Sequence, residues 1–179
     1  MQFSDVRNYK RQIKNLYRSA FPANERAPLF ILFKRTDNGR DSFRAVVDDD
    51  KFVGLVYTIS TAKLVYVFFL AVEEEMRGKG YGSKILEQLK QKYSDKTVCL
   101  MIEDPEEKKA ENIDERINRL KFYERNRFER LHIKINEAGV NYELLGTDTS
   151  VTQADFLNMM KDYLGSLLFR IIYRKMKVK

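Results

Sequence analysis

The sequence predicts an α/β (α+β) fold, in which helices flank one mixed but mostly antiparallel sheet and a further helix follows at the C-terminus. The 179 residues are 44% hydrophobic and 33% charged, which is the composition and size of one globular domain. The spacing of apolar residues along the chain predicts helices first, then a hairpin of two strands, then a strand, a helix, a strand, a helix and two last strands. This order requires at least one crossover connection. We therefore expect a single domain over residues 1–179, with a core at about 43–145 and a helical extension at about 152–175.

Two helices are predicted before the first strand. Ser4-Asp5 can cap the first helix, because short polar side chains accept hydrogen bonds from free N–H groups at helix starts. The apolar residues on one side of this helix are Val6, Tyr9, Ile13, Leu16, Tyr17 and Ala20. Pro22 ends it, and Pro28 opens a second, short helix that runs through Phe33. Residues 36–40 form a turn that leads to the sheet.

The next three segments are predicted to be strands. Residues 42–47 and 52–60 form a hairpin around the three aspartates at 48–50. Residues 64–72 are apolar on both faces, which is typical of a strand in the centre of a sheet.

Helix and strand then alternate along the chain. Apolar residues at helical spacing predict helices over 85–93 and 113–123, and the segment 97–102 between them is a predicted strand. Two further strands, 128–135 and 140–145, are joined at a glycine.

The C-terminal part is predicted to be one amphipathic helix that begins at Thr152 or Asp155. Its apolar positions are Phe156, Met160, Tyr163, Leu167 and Ile171. Such a helix either covers the core or pairs with another copy of the chain, so the sequence leaves a homodimer open.

Composition and charge exclude several classes of function. Cys99 is the single cysteine and His132 the single histidine, which argues against a disulfide, a metal site and a Ser-His triad. The net charge of +7 permits an anionic ligand, but the acidic residues are interleaved with the basic ones and no nucleic-acid-binding signature is present. No apolar segment is long enough for a signal peptide or a membrane span. We therefore expect no metal, nucleic-acid or membrane partner and a cytoplasmic protein.

The glycine-rich segment 77–83, with the sequence RGKGYGS, is the most informative stretch of the chain. It follows a buried strand and precedes an amphipathic helix, where free N–H groups and basic side chains favour a phosphate or a pyrophosphate. The P-loop pattern G-x-x-x-x-G-K-S/T is absent. Gly78 and Gly80 match the first part of the dinucleotide pattern G-x-G-x-x-G, but Ser83 stands at the third glycine.

Residues 72–82 resemble the acyl-CoA-binding signature of the GNAT superfamily of N-acetyltransferases. The core of that signature, R/Q-x-x-G-x-G/A, is matched by Arg77, Gly80 and Gly82. Residues 122–128, FYERNRF, are similar to a later F-Y-x-x-x-G-F element of the same family. The resemblance implies a GNAT-like domain with acetyl-CoA as co-substrate. It also implies direct transfer of the acetyl group to a primary amine of a small molecule or a peptide.

The same resemblance implies which residues bind the coenzyme. It also implies that a backbone N–H near the end of the third strand, around Val72, donates to the thioester oxygen as that oxygen gains negative charge. The coenzyme-binding residues are Leu70, Ala71, Val72, Arg77, Gly78, Lys79, Gly80, Tyr81, Gly82 and Ser83. The chain departs from the family at Arg116, where an asparagine is frequent, and at Arg127, where a glycine is usual. A glycine there takes the left-handed conformation that ends a helix, and we expect Asn126 to take that role here.

Aminolysis of a thioester needs an acid for the thiolate and an acceptor for the amine's proton. The resemblance makes Tyr123 the acid. Glu103, at the end of a predicted strand, is the candidate base, and a chain of water molecules is the alternative. Cys99 is expected to be packed in the core and His132 to lie at the surface.

Glu25 and Arg26 lie between the first two helices, a region that generally helps to form the acceptor site in this superfamily. A carboxylate there can hold a cationic amine, although a polar surface loop is the alternative interpretation.

Two further functions stay open on the sequence alone. A non-catalytic acyl-CoA-binding module would share the glycine turn but lack a working acid or base. A nucleic-acid binder would use the net positive charge, but its signatures are missing.

Overall fold

The computed structural model of the chain describes residues 1–36, 41–107, 110–137, 139–166, 169–170 and 177–178. The helices are α1 (Lys10–Ala20), α2 (Leu29–Arg35), α3 (Tyr81–Lys92), α4 (Ile113–Arg125) and α5 (Gln153–Leu164), with 3-10 turns at Val6–Tyr9 and Glu74–Met76. The strands are β1 (Gln2–Asp5), β2 (Asp41–Asp48), β3 (Lys51–Ser60), β4 (Leu64–Val72), β5 (Thr97–Glu103), β6 (Glu129–Glu137), β7 (Val140–Gly146) and β8 (Lys177–Val178).

The strands hydrogen-bond in the order β1-β2-β3-β4-β5-β7-β6-β8, with β4 and β5 parallel. The predicted α/β fold, its mostly antiparallel sheet and the central position of residues 64–72 are thereby confirmed. None of the described helices has the length and apolar content needed to cross a membrane.

The two terminal strands were not predicted. Gln2–Asp5 forms an antiparallel ladder with β2, from Gln2 opposite Val47 to Asp5 opposite Arg44. Asp5 acts as the predicted cap, but for the 3-10 turn, where its carboxylate accepts from the Arg7 N–H at 2.8 Å. A short segment has too few residues to show a strand period, so its pairing depends on a partner distant in sequence.

The chain divides into two compact units, and the division falls within β4. Unit 1 comprises Met1–Ser60 and Val67–Lys92, and unit 2 comprises Thr61–Tyr66 and Tyr93–Lys179. Unit 1 therefore carries the glycine-rich turn, and unit 2 carries α4 and α5.

In unit 1, the hairpin β2–β3 turns at Asp49 and Asp50, whose φ angles are 47° and 60°. Both φ angles are positive, as in the turns that fit the twist of two-residue hairpins, and Asp adopts that conformation more readily than most residues. Rings of Tyr17 and Phe21 pack edge-on against Phe69 of β4, with centroids 5.0 and 4.9 Å away. This aromatic cluster fixes the end of α1 on β4.

In unit 2, β4 begins by pairing with β5, from Leu64 opposite Thr97 to Tyr66 opposite Cys99. Cys99 is buried as predicted, and its burial raises the pKa of the thiol to about 12. The ring of Phe156 on α5 packs 5.3 Å from Tyr66, so this helix covers the apolar face of the unit.

The predicted start of α5 at Thr152 is confirmed, since its hydroxyl and the Asp155 carboxylate form a reciprocal capping box. The predicted positions at 167 and 171 and most of the predicted turn at 36–40 lie outside the described residues.

Candidate functional site

The glycine-rich turn has six consecutive backbone N–H groups with no acceptor among the residues that the structure describes. Before the turn, the N–H of Arg77 donates to the Glu74 carbonyl at 3.1 Å, and after it the N–H of Lys84 donates to the Gly80 carbonyl at 3.1 Å. The N–H groups of residues 78–83, between them, donate to no acceptor within the described part of the chain. Successive free N–H groups at a helix start carry partial positive charge and bind anions, phosphates above all.

The glycines of this turn are required by its backbone. Gly78 and Gly80 have φ angles of 74° and 79°, a conformation that side chains disfavour. A Cβ atom added at either position would meet no heavy atom within 4 Å. The turn therefore faces open space. A residue other than glycine is disfavoured at these two positions by the positive φ angle and not by a steric clash with neighbouring atoms.

A hydrogen bond connects the start of α3 to the end of β2: the Tyr81 hydroxyl donates to the Asp48 carboxylate at 2.9 Å. Sequence analysis assigned Asp48 to a hairpin turn only. The two residues are 33 positions apart, so nothing in the local pattern signals their contact.

The end of β4 lies unusually close to β3. A Cβ at Gly54 would lie 2.3 Å from the Ala71 carbonyl oxygen, and the N–H of Glu73 donates to the Val53 carbonyl at 2.8 Å. Gly54 is therefore a positioning residue for the strand end that leads into the turn, and sequence analysis missed it. Its signal was a lone glycine inside an apolar strand, which often marks a close backbone approach.

At that strand end, the guanidinium of Arg77 donates to the Val72 carbonyl at 3.2 Å. Lys79 is exposed beside it. Both basic residues thus belong to the same turn as the free N–H groups.

Tyr123 lies on α4, half-buried between the rings of Phe122 and Phe128, at centroid distances of 5.1 and 5.8 Å. Burial raises the pKa of its hydroxyl to about 12. That hydroxyl makes no hydrogen bond with the residues that the structure describes. The phenol is consequently a neutral donor at physiological pH, with its proton available.

Glu103 ends β5, and α4 surrounds its carboxylate with donors. The buried guanidinium of Arg116 and the more exposed one of Arg119 each donate to it at 2.9 Å. The Asn112 amide donates at 3.2 Å, and Arg116 also donates to the Asp104 carbonyl at 3.2 Å. The arginine that departs from the family pattern therefore ties α4, the helix of Tyr123, to the end of β5.

The helix end after Tyr123 corrects one expectation. Arg127, not Asn126, takes the left-handed conformation, with φ of 62° against −93°. The N–H of Phe128 donates to the Tyr123 carbonyl at 3.1 Å and that of Arg127 to Glu124 at 2.9 Å, which is the Schellman pattern. The pattern requires positive φ at the residue after the cap, which here is the arginine.

Replacing Arg127 by glycine is therefore expected to stabilise the protein by about 1 kcal/mol, because a side chain in the left-handed region costs about 1–2 kcal/mol. Urea denaturation measures the change. Arg125→Gly, in the helical last turn of α4, is the control and should destabilise by about 1 kcal/mol. A loss of stability in Arg127→Gly would contradict this explanation.

The remaining candidates lie where the sequence predicted. Glu25 is exposed and Arg26 half-buried in the loop after α1, which the Tyr17 hydroxyl holds through the Ala27 carbonyl at 3.0 Å. His132 is at the surface, with 78% of its side chain exposed. The coenzyme and acceptor candidates thus belong to unit 1, and Glu103 and Tyr123 to unit 2.

Known proteins show which family this chain resembles in sequence and fold. The sequence model of the acetyltransferase (GNAT) family matches residues 10–127. Among curated proteins, none matches the sequence.

Solved structures share the fold. A protein from Bacteroides thetaiotaomicron described as a GNAT-family acetyltransferase is 22% identical, with a TM-score of 0.72 over 94% of this chain and 98% of that one. An aminoglycoside 6′-N-acetyltransferase complexed with coenzyme A is 17% identical, with a TM-score of 0.65 over 85% and 99%. A spermidine N-acetyltransferase variant from Vibrio cholerae is 17% identical, with a TM-score of 0.63 over 83% and 94%.

Proposed function

Because the chain belongs to the acetyltransferase (GNAT) family, we propose that it is an N-acetyltransferase that uses acetyl-CoA as co-substrate. The acceptor is a primary amine of a small molecule or a peptide, which attacks the thioester directly. The related folds of acetyltransferases for aminoglycosides and for spermidine support an amine acceptor.

The observation that carries this proposal is the set of six free N–H groups at residues 78–83. A diphosphate offers enough anionic oxygens to accept from several of them at once, and the start of α3 and the side chains of Arg77 and Lys79 add positive charge. Leu70, Ala71 and Val72 would then flank the acyl arm, with an N–H near Val72 for the oxyanion.

The remaining chemistry needs a proton donor on the thiolate and an acceptor for the amine's proton. Tyr123 fits the donor, because its hydroxyl is protonated at neutral pH and makes no hydrogen bond with another described residue. The amine's nitrogen forms the new amide bond, the carbon–sulfur bond breaks, and the sulfur takes the phenolic proton, which solvent later restores to the tyrosine.

For the amine's proton, Glu103 and a chain of water molecules remain the two candidates. A base needs an oxygen that faces the amine, and both Glu103 oxygens already accept from donors on or beside α4. These contacts favour the water chain. In the acceptor region, Glu25 and Arg26 stay as proposed contacts to the amine-bearing molecule.

Calorimetry with acetyl-CoA and a thiol-release assay with a panel of amines and peptides test the proposal. Cys99 is buried with a raised pKa, so it should not consume the thiol reagent. Acetyl-CoA binding with amine-dependent CoA release is the expected result. Binding without release across the panel would favour the non-catalytic acyl-CoA-binding module, and no binding would overturn both.

The turn itself is tested by Gly80→Val against Gly139→Val. Both glycines have positive φ, 79° and 90°, and open space around them, but Gly139 lies in unit 2 beside β7. Both variants should lose similar stability, since valine is strained in this conformation. Only Gly80→Val should weaken acetyl-CoA binding, by about tenfold or more, because it moves the free N–H groups. Equal affinities would disconnect the turn from the coenzyme.

A further inference from the structure

The positive charge of the chain is concentrated in its first two helices. Residues 10–35 contain seven basic residues and one acidic residue, a net charge of +6, against +7 for the whole sequence. The remaining residues are therefore nearly balanced. A charge distribution of this kind produces a local potential, which acts on a charged partner within about 8 Å at physiological salt.

Most of this charge lies on the solvent side of α1. The basic face of α1 consists of Lys10, Arg11, Lys14 and Arg18. All four side chains are exposed, and none forms an ion pair with any residue in the described ranges. The opposite side of the helix is buried through Ile13, Leu16 and Tyr17. The cations are thus not needed to neutralise acids of this chain.

Other cations of the chain differ in this respect. Arg116 pairs with Glu103, and Arg130 with Glu143 and Glu106. Each of these two arginines has a carboxylate of this chain as its partner. Within the part of the chain that the structure describes, no carboxylate pairs with the basic face of α1, so its charge can act on another molecule.

The C-terminal end of α1 lies close to the strand that leads into the glycine-rich turn. α1 continues from Arg18 into Phe21, whose ring lies 4.9 Å from that of Phe69 on β4. Phe69 precedes Val72, the last residue of β4, by three positions, which is about 10 Å along a strand. The end of α1, where Arg18 lies, is therefore packed in unit 1 on the same strand whose last residues lead into the turn.

We infer that the acceptor is the free amine of an acidic peptide, whose carboxylates bind along the basic face of α1. This inference rests on the proposed function. From Lys10 to Arg18 the helix rises about 12 Å, which an extended peptide spans with about four residues. A small anion would contact only one or two of these cations.

Nucleic acid is the other polyanion with matching charge, but it supplies no suitable amine. The exocyclic amines of the bases share their lone pairs with aromatic rings, so they are poor nucleophiles. An acidic peptide carries both the charge and an aliphatic amine. Polycationic amines, such as those named for the structurally similar enzymes, should be repelled by this face.

The test uses three fluorescent decapeptides, each with a free N-terminus as its sole amine. One is rich in Asp and Glu, one in Ser and one in Arg, and anisotropy measures their binding at low and high salt. We expect the acidic peptide to bind at least tenfold more tightly than the others, with an affinity that falls as salt is added. Equal binding of the three would overturn the inference.

Two double variants test the location of the effect. Lys14→Gln/Arg18→Gln should weaken binding of the acidic peptide at least fivefold. Lys51→Gln/Lys161→Gln removes the same charge from two exposed lysines elsewhere that form no ion pair with another described residue, and it should leave binding unchanged. Equal losses in both, or displacement of the peptide by a lower concentration of an RNA oligonucleotide, would also overturn the inference.

Turnover separates this inference from the proposed function. CoA release with all three peptides at equal efficiency would leave the acetyltransferase in place and remove the acidic-peptide preference. Selective, α1-dependent binding of the acidic peptide without any release, on it or on other amines, would support the docking surface and contradict the enzyme.

Discussion

Replacing Arg116 by methionine is expected to lower the free energy of unfolding by about 1.5–3 kcal/mol, the contribution of hydrogen bonds to a charged group, because Arg119 and Asn112 still bind the Glu103 carboxylate. The guanidinium of Arg116 holds the Glu103 carboxylate and the Asp104 carbonyl together, and methionine keeps the volume but supplies no donor. Urea denaturation followed by circular dichroism measures the loss.

Arg119→Met is the matched control, because Arg119 binds the same carboxylate at the same 2.9 Å distance but is 42% exposed. Exposed ion pairs contribute about 0–1 kcal/mol, so this variant should remain close to the parent. Equal effects of the two substitutions would show that burial of Arg116 does not determine the strength of the α4–β5 connection.

Replacing Tyr123 by phenylalanine is expected to reduce kcat about a hundredfold, the lower end of what general acid catalysis contributes, with acetyl-CoA affinity unchanged. Phenylalanine keeps the ring between Phe122 and Phe128 and removes only the hydroxyl. Steady-state kinetics and calorimetry on the same variant separate the two quantities.

The pH profile provides a second check on Tyr123. Its pKa of about 12 keeps the hydroxyl protonated across the alkaline range, so the parent enzyme should show no loss of kcat from this group until the pH approaches 12. Tyr9→Phe, which removes a phenol stacked on Phe52 in unit 1, is the control and should leave kcat unchanged. An unchanged kcat in Tyr123→Phe would remove this tyrosine from the acid role.

Sequence alone predicted the elements whose pattern is local. The predicted strand at 64–72 has the same bounds as β4 in the structure, because a continuous apolar run between polar segments is a complete signal for a buried strand. The glycine-rich turn was also predicted from local sequence, since alternate glycines before a helix indicate free N–H groups regardless of the rest of the fold. The cap at Thr152 likewise depends on residues only three apart.

Tertiary structure decided the features that depend on distant partners. Strand β1 forms because its backbone hydrogen-bonds to β2. Gly54 is needed because the carbonyl oxygen of Ala71, on the neighbouring strand, occupies the space that a side chain would fill. By the family resemblance, Arg116 stands where an asparagine is frequent, which suggested a missing contact. Its burial beside Glu103 shows instead that it connects α4 to β5. Local propensity is a property of neighbouring residues, whereas hydrogen bonds and ion pairs across the fold depend on which surfaces meet. The sequence therefore determined the elements and the glycine-rich turn, and packing determined which charges are paired and which, as on α1, have no ion-pair partner among the described residues.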